Sequence, residues 1–180
     1  IRFFGKVYAG RKVKNSLIAL SNLMENNRNI SGEFFVDDDF FINYKYMIRK
    51  YSKIKFLSYL NYSSYLKKLN ETSILILIDI DQDFGNLFFQ SKLVDYLQSY
   101  RPILHIGKSL TFNKKIVLRN NGLSCQNDPV QIYKSLSKLI KKLPTFKPNH
   151  NLIDSFSSEK IALKVLKKIE NTVKDDCKKL

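Results

Sequence analysis

Ile74-Leu75-Ile76-Leu77-Ile78-Asp79-Ile80 is an apolar run broken only by Asp79. An apolar run of this kind, with β-branched isoleucine at every second position, predicts a strand buried on both faces, as in a parallel sheet covered by helices. Working outward, apolar runs alternate with amphipathic segments. Towards the N-terminus the expected elements are strands at 2–4, 32–36 and 54–59, with helices at 15–24, 41–51 and 63–69. Towards the C-terminus they are a helix at 91–99 and strands at 101–106 and 115–118. Helices follow at 129–142 and 157–175, separated by a break between Pro144 and Pro148. This order implies right-handed crossovers and places ligands at the carboxyl ends of the strands.

The chain has 180 residues, of which 44% are hydrophobic, enough for one domain with a sizeable core. Residues 150–180 are expected to form a C-terminal helical segment of that single domain. The formal net charge is +15, which favours anionic partners: nucleic acid, phospholipid head groups or nucleotide phosphates. Abundant Lys, Asn and Ile also fit a plain compositional bias. Cys125 and Cys177 match no metal-binding spacing, and a reducing, cytoplasmic compartment is expected. No apolar run approaches the ~20 residues of a membrane span. The chain runs directly from Ile1 into strand-like sequence, so it is expected to be an excised piece of a longer protein.

Three constellations stand where chemistry is expected. Gly5-Lys6-Val7-Tyr8-Ala9-Gly10-Arg11 joins a strand to a helix. Its glycines let backbone approach an anion, and Lys6 and Arg11 add charge beside a helix N-terminus. An ordinary basic loop accounts for the same residues. In Ser91-Lys92-Leu93-Val94-Asp95-Tyr96-Leu97, Ser91 is expected to cap the helix. Lys92 is placed to reach a phosphate, and Asp95 to accept hydrogen bonds from ribose hydroxyls. An exposed Lys92–Asp95 ion pair is the plainer reading. The third group, Asp37, Asp38, Asp39, Asp79, Asp81 and Asp83, offers carboxylates for a divalent metal or a phosphoryl group, or simply turn chemistry. His105 and His150 have no evident Ser or Cys partner, so a hydrolytic triad is not indicated. Tyr59 and Tyr62 suit the rim of a core or the flank of a base.

Together these segments resemble the C-terminal, donor-binding domain of GT-B glycosyltransferases of the group 1 (family 4) type. In that resemblance Gly5 and Lys6 stand for a glycine-arginine loop and Arg11 for the lysine that follows. Phe56-Leu57-Ser58-Tyr59-Leu60 is similar to a strand ending in Leu-Gly, with Ser58 at the glycine. Ser91-Lys92-Leu93-x-Asp95-Tyr96-Leu97-x-Ser99-x-Arg101-Pro102-Ile103 is similar to the Ser-Lys-Leu-x-Glu-Tyr-Leu-x-Ser-Gly-x-Pro-Ile pattern of polysaccharide-assembly members. Asp95 then replaces the ribose-binding glutamate, and Tyr100 stands where glycine is usual. Asn121-Gly122-Leu123 and Asn127-Asp128 resemble the late turn before the penultimate helix. The second family glutamate would fall on Leu87, unless Asp83-Phe84-Gly85 fills its place.

The resemblance implies a Rossmann-like three-layer α/β/α sandwich with a mostly parallel sheet, one half of a GT-B fold. It implies transfer of a hexose from a nucleoside-diphosphate sugar to a glycan or lipid-linked acceptor, in polysaccharide biosynthesis. Lys6 and Arg11 would be the catalytic cations. Gly5, Ser58, Tyr59, Leu60, Ser91, Lys92 and Asp95 would bind the donor, with no metal and no cofactor. The isolated domain would be inactive without its N-terminal acceptor domain. A cytoplasmic site with peripheral contact to the inner face of the membrane is expected. The alternatives are a phospho-receiver-like signalling domain and a basic nucleic-acid-binding domain, the latter supported by no motif.

Overall fold

The computed structural model describes residues 1–7, 11–80, 89–108 and 111–177. Gly10, Asp81, Asp83, the Asp83-Phe84-Gly85 segment and Leu87 lie outside them. From Ile1 to Pro148 the elements are β1 (Arg2–Phe4), α1 (Lys14–Asn26), β2 (Glu33–Val36), α2 (Asp38–Asn43), α3 (Lys45–Lys50), β3 (Lys55–Ser58) and α4 (Tyr62–Asn70). They continue with β4 (Leu75–Ile78), α5 (Lys92–Gln98), β5 (Ile103–Ile106), α6 (Phe112–Arg119), β6 (Leu123–Cys125) and α7 (Pro129–Lys142). A second unit starting at Asn149 contains α8 (His150–Asp154) and α9 (Ser158–Cys177).

The described residues form a six-stranded sheet in the order β3-β2-β1-β4-β5-β6. Every strand pair is parallel. Why the sequence folds this way is visible strand by strand. All of β4 and β5 is buried, whereas the edge strands β3 and β6 are partly or fully exposed. Successive side chains alternate between the two faces. Phe3, Phe34, Val36, Ile76, Ile78, Leu104 and Ile106 share one core with Leu17, Leu20 and Leu23 of α1 and Ile132, Leu136 and Leu139 of α7. Alternation sends Phe4, Phe35, Leu75, Leu77 and Ile103 to the opposite face. There the buried Tyr96 of α5 bonds both the N–H and the carbonyl of Phe4.

Three sequence expectations are corrected. Residues 115–118 are not a strand but the second half of α6. Their β-branched Ile116 and Val117 mimic a strand, yet buried Asn113, Ile116, Val117 and Asn120 follow a helical 3–4 spacing, and Thr111 caps the helix by accepting from the Lys114 N–H. The sixth strand is instead Leu123–Cys125, which the turn reading at Asn121-Gly122 concealed. The single helix expected at 41–51 is two short ones, divided at Tyr44, whose φ of −120° and ψ of 27° leave the helical region.

Tyr100 closes α5 with a φ of 57°, a left-handed conformation that costs an L-residue about 1 kcal/mol. This explains why glycine suits the position. Tyr100→Gly is therefore expected to stabilise the chain by up to about 0.5 kcal/mol after the entropy of the unfolded glycine is counted. Thermal unfolding checks it as a Tm rise of about 1–2 °C.

Candidate functional site

The strand order reverses between β1 and β4, and in open parallel sheets the ligand crevice lies outside the carboxyl ends of the strands at such a point. A cleft of about 290 Å³ opens there, lined by Lys6, Arg11, Tyr59, Ile80, Phe89, Gln90, Ser91 and Lys92. A neighbouring cleft of about 280 Å³ is lined by Phe4, Phe35, Tyr59, Leu60, Tyr62, Tyr65, Lys92 and Asp95. Tyr59 and Lys92 border both. One cleft is thus cationic, and the other is aromatic with a carboxylate at its wall.

The cationic cleft is built from the loop after β1. Gly5 continues the β1–β2 ladder by donating to the Phe35 carbonyl at 3.1 Å. A Cβ on Gly5 would stand 2.8 Å from Phe3 Cζ and 3.3 Å from an Arg11 nitrogen. The position therefore admits only glycine if the Phe3 ring and Arg11 are to keep their places. Arg11 Nη1 donates to the Lys6 carbonyl at 2.8 Å, and Nη2 to Gln90 Oε1 at 3.3 Å. Lys6 Nζ lies 3.5 Å from Asp37 and 3.7 Å from Asp39, so its charge is already shared with two carboxylates.

The second wall is α5. Leu93, Tyr96 and Leu97 form its buried stripe, which leaves Lys92 and Asp95 on the flank facing the clefts. Asp95 does not pair with Lys92. Tyr65 stands between them, its hydroxyl donating to Asp95 Oδ2 at 3.1 Å while Lys92 Nζ lies 5.5 Å from its ring centroid. Burial, with Tyr96 and Asp95 adding to it, pushes the Tyr65 phenol far above its ordinary value, so it is a hydrogen-bond donor at any working pH. Tyr59 is pushed up to about 12, first by burial and then by the Asp37 charge. Phe4 stacks on Phe35 at 4.6 Å between ring centroids and meets Tyr65 edge-on at 5.1 Å, forming an aromatic floor.

Ser91 is not the expected side-chain cap: its backbone is already helical and its side chain makes no capping hydrogen bond. Its carbonyl instead accepts from the Val94 N–H. Ser58, expected at the donor site, lies exposed at the end of β3 and does not line either cleft, while Tyr59 and Leu60 beyond it do. Tyr65 and Gln90 were missed by sequence reading. Lone polar residues in a helix and a loop carry no local signal.

Among the described acidic residues, Asp37 and Asp39 meet at Lys6 Nζ and Asp79 stands apart from them. Asp37 follows β2, Asp38 and Asp39 open α2, and Asp79 is buried after β4. No group of three or more His, Cys, Asp or Glu suited to a metal ion occurs among the described residues. The strand order also differs from the five-stranded 2-1-3-4-5 order of receiver-like domains. His105 does have partners. It is buried between Asp79, 2.7 Å from Nε2, and Ser124, 2.9 Å from Nδ1. Burial raises Cys125 to about 11, so it is a neutral thiol. No helix among the described residues is long and apolar enough to cross a membrane.

No protein-family model matches the chain, and no curated protein matches it. Solved structures do. The C-terminal domain of a glycosyl transferase group 1 family protein (LpcC) from Francisella tularensis aligns with a TM-score of 0.67 at 14% identity, over 86% of this chain and 84% of that one. The pneumococcal O-GlcNAc transferase GtfA, solved with UDP and GlcNAc, aligns at 0.67 and 10% identity, over 96% of this chain and 35% of its own. UDP-GlcNAc 2-epimerase from Neisseria meningitidis, bound to UDP-GlcNAc, aligns at 0.64 and 12% identity, over 93% and 44%. The chain thus spans between a third and a half of GtfA and of the epimerase. Its all-parallel six-stranded sheet with flanking helices has the fold of the Rossmann-like half of GT-B proteins.

Proposed function

We propose that this chain is the donor-binding half of a GT-B glycosyltransferase of the group 1 (family 4) type. The observation that carries the reading is the pair of clefts at the β1/β4 reversal, one lined by Lys6, Arg11 and Lys92, the other holding Asp95 over an aromatic floor. A nucleoside diphosphate has those two parts in that order: an anionic diphosphate and a ribose with a flat base. Asp95 Oδ2 already accepts from Tyr65, and the carboxylate retains acceptor capacity for the ribose hydroxyls. Tyr59 and Tyr62 offer aromatic faces to the base.

In the transfer, the bond from the anomeric carbon to the diphosphate oxygen breaks and the diphosphate leaves with the electron pair. The acceptor hydroxyl forms the new glycosidic bond and passes its proton to the departing diphosphate oxygen. Retention at the anomeric carbon is the outcome implied by the family resemblance. Charge grows on the diphosphate, where fixed cations lower the barrier most. Arg11 and Lys92 supply that charge directly. Lys6, shared with Asp37 and Asp39, contributes less. This arrangement needs no bound metal to neutralise the leaving group.

The acceptor would sit on a second, N-terminal domain, so the chain alone binds donor without turning over. A hexose donor and a glycan or lipid-linked acceptor of polysaccharide assembly fit the reading. So does a cytoplasmic site with peripheral contact at the inner face of the membrane. The reading is tested by isothermal titration of the 180-residue chain with UDP, GDP and their sugars. Binding of at least one, weakened by Asp95→Ala about tenfold, is the expected result. Binding of none, or binding indifferent to Asp95→Ala, would overturn it.

A further inference from the structure

Beneath the cationic cleft lies a buried polar cluster at the carboxyl ends of β4 and β5. Asp79 is 3% exposed and His105 is fully buried. The two carboxylate oxygens of Asp79 have separate tasks. Oδ2 meets His105 Nε2 at 2.7 Å, and the far nitrogen of that ring meets Ser124 Oγ at 2.9 Å. Oδ1 accepts from Asn113 Nδ2 at 2.9 Å and from Gln90 Nε2 at 2.5 Å. The packing leaves no slack above this carboxylate: a Cβ on Gly107 would stand 2.8 Å from Asp79 Cβ.

Gln90 carries the cluster outward to the cleft. Its Nε2 donates both to Asp79 and to the Ile78 carbonyl, the latter at 3.0 Å, and its backbone N–H donates to Asn113 Oδ1 at 3.2 Å. Both partners of Nε2 are acceptors, so the amide orientation is determined: the nitrogen faces inward and the oxygen outward. That outward oxygen accepts from Arg11 Nη2. The guanidinium is therefore held by Gln90 Oε1 and by the Lys6 carbonyl, among its contacts, with its charge facing the cleft. A long, rotamer-rich cation fixed before its ligand arrives binds more tightly than one that must be ordered on binding.

We propose that Gln90 is a positioning residue for Arg11, that Asp79 fixes Gln90 in the required amide orientation, and that the buried His105–Asp79 pair thereby sets the diphosphate affinity of the cleft without touching the ligand. The role rests on the nucleotide reading above. Gln90→Met keeps length and bulk but loses all three side-chain hydrogen bonds, to Arg11, Asp79 and the Ile78 carbonyl. UDP affinity of the Gln90→Met chain is expected to fall about tenfold, the scale of a lost hydrogen bond to a charged group, while uridine affinity followed by NMR stays within about twofold, because the nucleoside is held elsewhere. In an Arg11→Met background the same substitution is expected to change UDP affinity by less than about twofold, since coupled residues are not additive. An equal loss in both backgrounds would mean direct contact or general damage and would overturn the role, as would unchanged UDP affinity in the single variant. If the unsubstituted chain binds UDP, those outcomes bear on Gln90 alone; if it binds none, the nucleotide reading falls and this role falls with it.

Discussion

Arg11→Ala is expected to weaken UDP binding by about 10- to 100-fold, the range spanned by losing one or two charge-assisted hydrogen bonds to a phosphate. The size of the effect follows from how the residue is held. Its guanidinium is fixed by the Lys6 carbonyl and by Gln90 before any ligand is present. Arg11→Lys is expected to recover little of the loss. A lysine ammonium lacks the planar fork that grips the carbonyl, the glutamine oxygen and the ligand together. Lys6→Ala is expected to cost less than Arg11→Ala, because the Lys6 charge is shared with Asp37 and Asp39. Titration calorimetry on the three variants gives this ranking directly. A larger loss at Lys6 than at Arg11 would reverse the assignment of the main diphosphate ligand.

Asp79→Ala is expected to destabilise the fold by about 3 kcal/mol, the scale for removing one member of a buried polar pair. Donors from Gln90, Asn113 and His105 all converge on that carboxylate. Asn113 and His105 are buried and have no bulk water to turn to. Urea unfolding at pH 7 checks the magnitude. The pH dependence checks the cause. Burial by itself would raise the Asp79 carboxyl, but the His105 hydrogen bond and charge, together with hydrogen bonds from Thr111 and Asn113, outweigh it and hold the group below its ordinary 3.8. A carboxylate depressed in the folded state contributes stability that is complete above 3.8 and is lost as the pH falls through the lower folded value. The difference between the unsubstituted chain and Asp79→Ala should accordingly narrow only below about pH 4.

The sheet was legible because its central strands are self-announcing. The 74–80 run is short, apolar and rich in isoleucine, as a strand covered on both faces is, and it holds β4 at Leu75–Ile78; β5 follows a proline that cannot continue a helix. Legibility failed where two periods fit the same residues. Ile116-Val117 reads as strand until Asn113 and Asn120 are recognised as members of the same buried helical stripe. It failed again at β6, whose three residues are too few to show any period.

The site divides in the same way. Lys6, Arg11, Lys92 and Asp95 each carry a charge beside a recognisable turn or helix start, and the fold brings them to adjoining clefts. Ser91 misled because a serine before a helix is usually its cap, whereas here the helical backbone already includes it. Gln90 and Tyr65 were invisible for a different reason. Their partners lie 79 and 30 residues away in sequence, and neither side chain advertises chemistry by itself. His105 likewise found Asp79 across 26 residues, through strand pairing that places β4 beside β5. What the chain encodes locally is charge at the rim. What it encodes only through topology is the scaffold that holds that charge still.

The most direct test of the account is a crystal structure of the chain grown with UDP. The account predicts the diphosphate in the cleft between Arg11, Lys92 and Lys6, with Arg11 still bonded to Gln90, and the ribose hydroxyls on Asp95. Density for UDP at any other place on the surface, or a diphosphate that makes no contact with Arg11, would contradict it.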